Sequence, residues 1–311
     1  MRIAIFGAGA IGCLFGMRLH RSENNVLLVH HDPRTVATIR KNGVRLKEVS
    51  GKMIRARIQI KQSLSFEDRP DLVLLTVKAY DTEEAARNLS KQVERDTPVL
   101  SLQNGLGNVE ILLRFFQSSS FMAGTTTEAV QRIGPGLILH KGSGTTWVGG
   151  IGVRSASRSK EIARLFGDSG FKTRTSRNIT GVIWSKAIVN SAINPISALA
   201  RVSNRDIARI PSLREAALSL VEEGVLVARA HGVSLTPSPM ILLSRVLASS
   251  GRNQSSMLQD IEAGRKTEIR ELNGRIASLG KRLKVNSSLN SLITQLVLGL
   301  EASGAVVSSS N

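Results

Sequence analysis

The chain has 311 residues, of which 41% are hydrophobic and 21% charged, so it is large enough for two folded domains and unlike a disordered protein. The 42 Lys and Arg residues outnumber the 24 Asp and Glu residues by 18, so the protein favours anionic ligands. One cysteine, Cys13, excludes an intrachain disulfide and zinc sites built from paired cysteines, and no metal site is predicted.

Membranes and nucleic acids are not expected as partners. No apolar run reaches the roughly 20 residues that span a bilayer. The apolar segment 3–17 resembles a secretory signal, but glycines interrupt it, so a cytoplasmic protein is expected. Basic residues are scattered and aromatic residues make up only 4%, a composition that does not favour nucleic-acid binding.

The first half of the chain alternates short apolar runs with helical spacing, which is typical of parallel strands joined by crossover helices. Residues 121–152 are rich in Thr, Gly and β-branched residues and predict strands or a hairpin. The other predicted strands are residues 2–6, 26–30, 71–77, 98–102 and 171–175, and the predicted helices are 10–20, 82–93 and 157–167.

Beyond residue 178 the pattern changes to long helices with almost no strand signal. We therefore predict an α/β domain at 1–176 followed by an all-α domain at 177–304. The serine-rich end of the chain, 305–311, predicts a disordered tail.

A glycine motif joins the first predicted strand to the first predicted helix. It consists of Gly7, Ala8, Gly9, Ala10, Ile11 and Gly12. Glycines at this spacing permit a tight turn, close approach of a pyrophosphate and close packing of helix on strand, and the helix N-terminus attracts phosphate. The motif predicts a Rossmann-type dinucleotide-binding domain, with a glycine-rich turn that binds nothing as the alternative.

The segment after the second strand bears on which dinucleotide binds. It reads His30, His31, Asp32, Pro33 and Arg34. An acid at this position binds the ribose diol of NAD(H), whereas a nearby arginine favours the 2′-phosphate of NADP(H). Both are present, so these residues leave NADP(H) and NAD(H) open. Asp32 before Pro33 also fits a helix cap.

In the second domain, Lys186, Asn190 and Asn194 are four residues apart and form one polar stripe on a predicted helix. Pro195 disfavours helical geometry at the residue before it, so we expect the helix to end at Asn194. The spacing alone fits either a solvated face or a functional one.

A further helical segment is predicted over residues 255–274. It carries three acids that could pair with Lys186, namely Asp260, Glu262 and Glu268. Their spacing does not choose among them.

Five segments spread over almost the whole chain form a recognisable set. They are the glycine motif, Val77-Lys78-Ala79, Gln103-Asn104-Gly105-Leu106-Gly107, Trp184-x-Lys186, and a string from Ser255-Ser256-Met257-Leu258-Gln259-Asp260 to Gly264-Arg265-Lys266-Thr267-Glu268-Ile269. Together they resemble the ketopantoate reductase (2-dehydropantoate 2-reductase) family, and the last string is the most specific. The resemblance implies NADPH-dependent reduction of 2-dehydropantoate to (R)-pantoate, on the way to pantothenate and coenzyme A.

The resemblance also implies roles for particular residues. Lys186 matches the family's general acid and Glu268 its partner. Asn104 matches a contact to both cofactor and substrate, and Lys78 a residue near the nicotinamide. The implied substrate contacts, besides Asn104 and Lys186, are Asn190, Asn194, Asn253 and Ser256.

Two features of the chemistry follow from these roles. Hydride transfer to a ketone leaves negative charge on oxygen, which an ammonium can stabilise and protonate. An unperturbed lysine, with a pKa of about 10.4, stays charged at neutral pH, and we expect a nearby carboxylate to keep Lys186 charged even when the closing cleft removes water.

The chain departs from the family pattern at one position. NADPH-dependent members carry an arginine where this chain has His31, and Arg34 is the residue expected to replace it as a cofactor contact. The alternatives are a reductase of another branched 2-oxo acid, or a dinucleotide-sensing protein without turnover. The oligomeric state is open, with a homodimer as one alternative.

Overall fold

The computed structural model describes residues 1–249 and 253–309, and the chain divides into two compact units. The first unit comprises Met1–Asn104 and Asn108–Ile179, and the second comprises Gly105–Gly107 and the chain from Thr180 onward. The first unit is α/β and the second is helical, which confirms the predicted fold class.

The first unit contains two sheets and the helices between their strands. Its strands are β1 (Arg2–Phe6), β2 (Asn25–Val29), β3 (Val44–Lys47), β4 (Met53–Ala56), β5 (Gln59–Lys61), β6 (Leu72–Leu75), β7 (Val99–Ser101), β8 (Phe121–Thr126), β9 (Ala129–Gly134), β10 (Leu137–Gly142), β11 (Thr145–Gly150) and β12 (Lys172–Thr175). Its helices are α1 (Ala10–Arg21), α2 (Pro33–Asn42), α3 (Thr82–Leu89), α4 (Asn108–Leu112) and α5 (Val153–Asp168).

The larger sheet has the strand order β12-β11-β8-β7-β6-β1-β2-β5. All neighbouring strands run parallel except β8 and β11, which are antiparallel. Every residue of β6 is buried, which is why its sequence is a continuous apolar run rather than an alternating one. The parallel order places the carboxyl ends of β1, β2, β6 and β7 along one edge.

The smaller sheet has the order β4-β3-β10-β9, in which β9 and β10 form an antiparallel pair. The sequence predicts strands in 121–152, but it does not predict that β3 and β4, far earlier in the chain, complete this sheet. Helix α1 contacts strands of both sheets, including β2 and β9. Its apolar sequence, which resembles a signal segment, is therefore that of a helix covered on two sides.

The second unit consists of helices over its described residues. They are α6 (Ile179–Ala200), α7 (Asn204–Arg209), α8 (Pro211–Ala230), α9 (Pro239–Ser249), α10 (Ser256–Glu262), α11 (Asn273–Leu283) and α12 (Ser288–Ser309). Helix α12 extends to Ser309, within the segment 305–311 predicted as a tail, and residues 310 and 311 lie outside the described ones. Across the described ranges, no helix combines the length and apolarity needed to cross a membrane.

Helix α6 continues through Pro195 to Ala200, so the prediction that it ends at Asn194 is wrong. A proline lacks the N–H that would bond to the carbonyl oxygen four residues earlier, here that of Ser191. The side-chain amide of Asn273 donates to this oxygen at 2.8 Å. A hydrogen bond from a distant part of the chain thus replaces the one that the proline removes.

Asn273 belongs to a buried polar network that joins several helices. Its amide also donates to Oδ1 of Asn290 at 3.0 Å, and Asn290 donates from Nδ2 to Glu223 Oε2 at 2.9 Å. The Glu223 carboxylate also accepts the backbone N–H groups of Leu289 and Asn290, each at 3.0 Å, in the first turn of α12. A carboxylate is favourable there because it meets free N–H groups and the positive end of the helix dipole.

The helical segment predicted over residues 255–274 is interrupted, which corrects that expectation. It forms α10 and the start of α11, separated by residues 263–272. Gly264 ends α10 with φ +62°, and its N–H bonds to Ile261 O at 3.0 Å. The N–H of Arg265 bonds to Asp260 O at 2.8 Å, which completes a Schellman motif. Only glycine adopts this conformation without steric cost.

Asn273→Ala should lower the free energy of unfolding by about 1–3 kcal/mol, because the Ser191 carbonyl loses its donor inside the protein. Pro195→Ala restores an N–H that can bond the same carbonyl. The loss caused by Asn273→Ala should therefore be smaller in the Pro195→Ala background, with a coupling of about 1 kcal/mol. Urea denaturation of the four proteins measures this coupling, and equal losses in both backgrounds would contradict it.

Candidate active site

The glycine motif forms the turn between β1 and α1 at the carboxyl edge of the larger sheet. Gly7 has φ +104°, and a side chain there would lie 2.7 Å from the backbone of Thr76. A Cβ on Gly12 would collide with the carbonyl oxygen of Gly7. Ala8 is buried, and Ala10 and Ile11 open the first turn of α1.

Gly9 differs from the other two glycines because a Cβ placed on it meets no atom within 4 Å. It is also the N-cap residue of α1, and no side chain caps that helix end. Open space next to N–H groups that no side chain caps suits a phosphate oxygen. The residues present therefore fit the pyrophosphate of a dinucleotide.

The segment after β2 begins with a pair of stacked histidines. The rings of His30 and His31 have centroids 4.9 Å apart. Burial, with smaller contributions from His31 and Arg132, lowers the pKa of His30 to about 4. Its Nδ1 accepts the backbone N–H of Asp32 at 3.1 Å, as an uncharged ring can. His31 is exposed.

Asp32 is the N-cap of α2, which is the cap alternative left open by the sequence. Its Oδ1 accepts the N–H of Arg34 at 3.1 Å, and its Oδ2 accepts the N–H of Thr35 at 3.0 Å and the Thr35 hydroxyl at 2.6 Å. Hydrogen bonding, led by the Thr35 hydroxyl, lowers the pKa of Asp32 to about 2. The side chain of Arg34 is exposed.

The loops after β6 and β7 carry Lys78 and Asn104, both partly buried. A buried glutamine, Gln103, holds these two loops together by donating from Nε2 to Val77 O at 3.1 Å and to Thr82 Oγ1 at 2.7 Å. Gln103 directly precedes Asn104, so its bond to Val77 O ties the loop that carries Lys78 to the loop that carries Asn104.

The same polar network continues from Thr82 to the start of α4. The Thr82 hydroxyl donates to Asn108 Oδ1 at 2.8 Å, and Asn108 donates from Nδ2 to Asn104 O at 2.7 Å. Ser101 Oγ completes the network by donating to Gln103 Oε1 at 2.9 Å. Sequence reasoning missed these supporting residues; the only signal was that Gln103 lies next to Asn104 in the same motif.

In the second unit, Lys186 lies partly buried on α6 and Glu268 lies buried in the segment between α10 and α11. Burial lowers the pKa of Lys186 to about 8, while the negative charge of Glu268 opposes this shift. Loss of hydration thus outweighs the attraction of the carboxylate, and the pKa of Lys186 lies below that of an unperturbed lysine. Of the three candidate acids, Glu268 is the one whose charge acts on Lys186.

Asn190 and Asn194 follow Lys186 on α6, Asn190 partly buried and Asn194 buried. Ser255 is the N-cap of α10, and its hydroxyl donates to Asn194 O at 3.4 Å. This bond places Ser256, the exposed first residue of α10, near the end of the polar stripe on α6. Asn253 is exposed, and its backbone oxygen accepts the N–H of Asn204 at 3.0 Å.

The turn that follows Asn104 belongs to the second unit. Leu106 is buried in the same hydrophobic core as Trp184. Its N–H donates to the carbonyl oxygen of Glu271 at 2.8 Å, three residues after Glu268. Burial, and to a lesser degree Glu268, raises the pKa of Glu271. The carboxyl groups of Glu268 and Glu271 are therefore close enough for their charges to interact.

Comparison with known proteins agrees with this geometry. Residues 3–152 match the model of the ketopantoate reductase PanE/ApbA family, and residues 178–301 match the model of its C-terminal region. A 2-dehydropantoate 2-reductase of Pyrococcus abyssi is 36% identical over 97% of this chain and 98% of its own length. One of Archaeoglobus fulgidus is 34% identical over 97% and 98%.

Solved structures of two similar proteins superpose on nearly the whole chain. A D-mandelate dehydrogenase with NADH and anilino(oxo)acetate superposes with a TM-score of 0.93 at 30% identity, covering 98% of this chain and all of that chain. A ketopantoate reductase from Ralstonia eutropha has a TM-score of 0.88, also at 30% identity and with the same coverage. The fold, the glycine turn and these relatives define the protein as a dinucleotide-dependent oxidoreductase. The chain belongs to the ketopantoate reductase family.

The Lys186 ammonium should titrate with a midpoint near 8, because its burial outweighs the pull of Glu268. Heteronuclear NMR of the lysine Nζ groups measures this, with Lys186→Arg to assign the resonance. Glu268→Gln should move the midpoint to lower pH, since the carboxylate that favours the charged form is removed. An unchanged midpoint in that variant would mean that Glu268 does not act on Lys186.

Proposed function

We propose that the protein reduces 2-dehydropantoate to (R)-pantoate with NADPH, on the way to pantothenate and coenzyme A. The observation that carries this proposal is Lys186, a partly buried lysine with a pKa of about 8 and an acid partner, in a chain of this family. A dinucleotide-sensing protein without turnover would have no need of a proton donor adjusted in this way.

The chain's own contribution to the reaction is the proton. Bound reduced nicotinamide supplies a hydride to the C2 carbon of the ketone. Lys186 Nζ donates a hydrogen bond to the ketone oxygen and then its proton, so the oxygen becomes the hydroxyl of the product. With a pKa of about 8, the group is mainly charged at neutral pH and yet more acidic than an ordinary lysine.

Glu268 acts through Lys186 by keeping the ammonium charged in surroundings that disfavour the charge. Asn190 and Asn194, on the same stripe as Lys186, hold hydroxyl groups of the substrate. Ser256, in the first turn of α10, holds its carboxylate, with a further polar contact from Asn253. These assignments use neutral donors, which orient the substrate without competing for the transferred proton.

The dinucleotide is held by the first unit. The glycine turn receives the pyrophosphate, and Lys78 and Asn104 contact the nicotinamide end, where Asn104 also meets the substrate. NADPH is preferred over NADH because both oxygens of Asp32 already accept hydrogen bonds from the start of α2. Three of its roughly four acceptor positions are thus taken, which weakens it as a partner for a ribose diol. His31 and Arg34 lie beside it as cofactor contacts.

A second candidate is reduction of a different 2-oxo acid with NADH. It is favoured by the superposition on a D-mandelate dehydrogenase whose structure contains NADH. Mandelate is a 2-hydroxy acid, so the two candidates share the bond that is reduced and differ in the side chain beside it. In both candidates the substrate is a small molecule. We also propose that the protein is located in the cytoplasm and forms a homodimer, whichever candidate holds.

Nicotinamide oxidation should be measured with 2-dehydropantoate and with phenylglyoxylate, each with NADPH and NADH. We expect the highest kcat/KM for 2-dehydropantoate with NADPH, about tenfold above NADH, or about 1.4 kcal/mol. A higher value for phenylglyoxylate with NADH would establish the second candidate. Absence of turnover in all four reactions would overturn the proposed reaction.

Lys186→Ala should lower kcat by about 10²–10⁴, the usual effect of losing a positioned acid. In the parent enzyme kcat/KM should fall above about pH 8, as Lys186 loses its proton. Glu268→Gln should move this alkaline limit to lower pH. Affinity for the dinucleotide, measured by calorimetry, should stay nearly unchanged in Lys186→Ala, and a kcat close to the parent's would remove Lys186 from the mechanism.

A further inference from the structure

Arg132 lies on β9 in the smaller sheet, yet its side chain reaches the segment that follows β2 in the larger one. Its Nη2 donates to the Thr35 hydroxyl at 3.3 Å. Thr35 lies in the first turn of α2, and its hydroxyl in turn donates to Asp32 Oδ2 at 2.6 Å. A residue distant in the sequence therefore contributes a guanidinium to the end of β2.

The charge of Arg132 acts on two neighbouring groups. It helps to lower the pKa of His30, after burial and His31. It also opposes the effect of burial, which raises the pKa of Cys13 to about 12. Cys13 lies in the first turn of α1 and His30 directly follows β2, so the guanidinium acts on groups at both of these positions.

A cation is poorly placed at this position. The start of a helix is its positive end, where a guanidinium is disfavoured and an anion favoured. Within the described ranges, the one side-chain hydrogen bond of Arg132 goes to a neutral hydroxyl, and no Asp or Glu oxygen lies within 4.0 Å of the guanidinium. The nearby Asp32 carboxylate is hydrogen-bonded to Arg34 and Thr35 rather than to Arg132.

We propose that Arg132 binds the 2′-phosphate of NADPH and replaces the arginine that is missing at position 31. This inference rests on the proposed NADPH preference. In a Rossmann-type domain the adenosine ribose lies at the end of the second strand, which is the end that Arg132 reaches. A guanidinium has five N–H donors, so the bond to Thr35 leaves enough for two parallel bonds to a phosphate.

Arg34, the replacement expected from the sequence, has a secondary role. Its side chain is exposed, and water weakens the attraction between an exposed cation and a phosphate. Arg132 is partly buried and held by Thr35, so it loses less side-chain entropy on binding and its charge is less screened.

The test compares the affinities of adenosine 2′,5′-bisphosphate and 5′-AMP, two ligands that differ only in the 2′-phosphate, by calorimetry on the whole protein. The parent should bind the bisphosphate at least tenfold more tightly. Arg132→Met should lose most of this ratio while its affinity for 5′-AMP holds, which also shows that the variant is folded. Arg34→Met should lose less of the ratio.

Arg55→Met is the matched control, because Arg55 is an exposed arginine on β4 at the opposite edge of the same sheet. It should leave the ratio unchanged. An Arg132→Met protein that keeps the parent's ratio would overturn the assignment, as would a parent that binds both ligands equally. If the ratio behaves as expected but no 2-oxo acid is reduced, the proposed reaction fails and the role of Arg132 stands.

Discussion

The Lys186 ammonium is held in surroundings that disfavour its charge, and the neighbouring carboxylate of Glu268 offsets part of that cost. Burial alone would favour the neutral amine, so an anion must be kept beside it. Glu268 provides that anion from the segment between α10 and α11, whose course is set by the glycine stop after α10. The result is a lysine with a pKa of about 8, suited to give up a proton near neutral pH.

The helix that carries this lysine is held by hydrogen bonds from distant parts of the chain. Helix α6 contains Pro195 directly after Asn194, the last residue of the polar stripe, where a missing backbone hydrogen bond would allow bending. Asn273 supplies the substitute bond to Ser191, and Glu223 and Asn290 extend this support to α8 and α12. The hydrogen bond that replaces the one lost at Pro195 thus also connects α6 to the beginning of α11, a few residues after Glu268.

In the α/β unit, sheet topology collects the candidate cofactor residues. The strand order β7-β6-β1-β2 brings the glycine turn, Asp32, Lys78 and Asn104 to one edge, because parallel strands end on the same side. The Gln103 hydrogen bonds then couple the β6 and β7 loops. The smaller sheet contributes Arg132 to this same edge from β9. Two sheets that cover α1 from different sides can therefore both supply groups to one ligand.

Local patterns in the sequence were enough to predict most of the elements that carry these residues. The glycine spacing, the apolar runs and the four-residue stripe at Lys186 each depend on local periodicity, and the α/β and helical parts of the fold follow from them. Other features depend on groups that are distant along the chain and meet only in the folded protein. Asn273 permits a helix through Pro195, burial rather than residue type sets the pKa of Lys186, and a strand of a separate sheet brings Arg132 to the end of β2. Hydration and long-range hydrogen bonding leave no periodic pattern in a sequence, because they arise only when the folded chain brings these groups together.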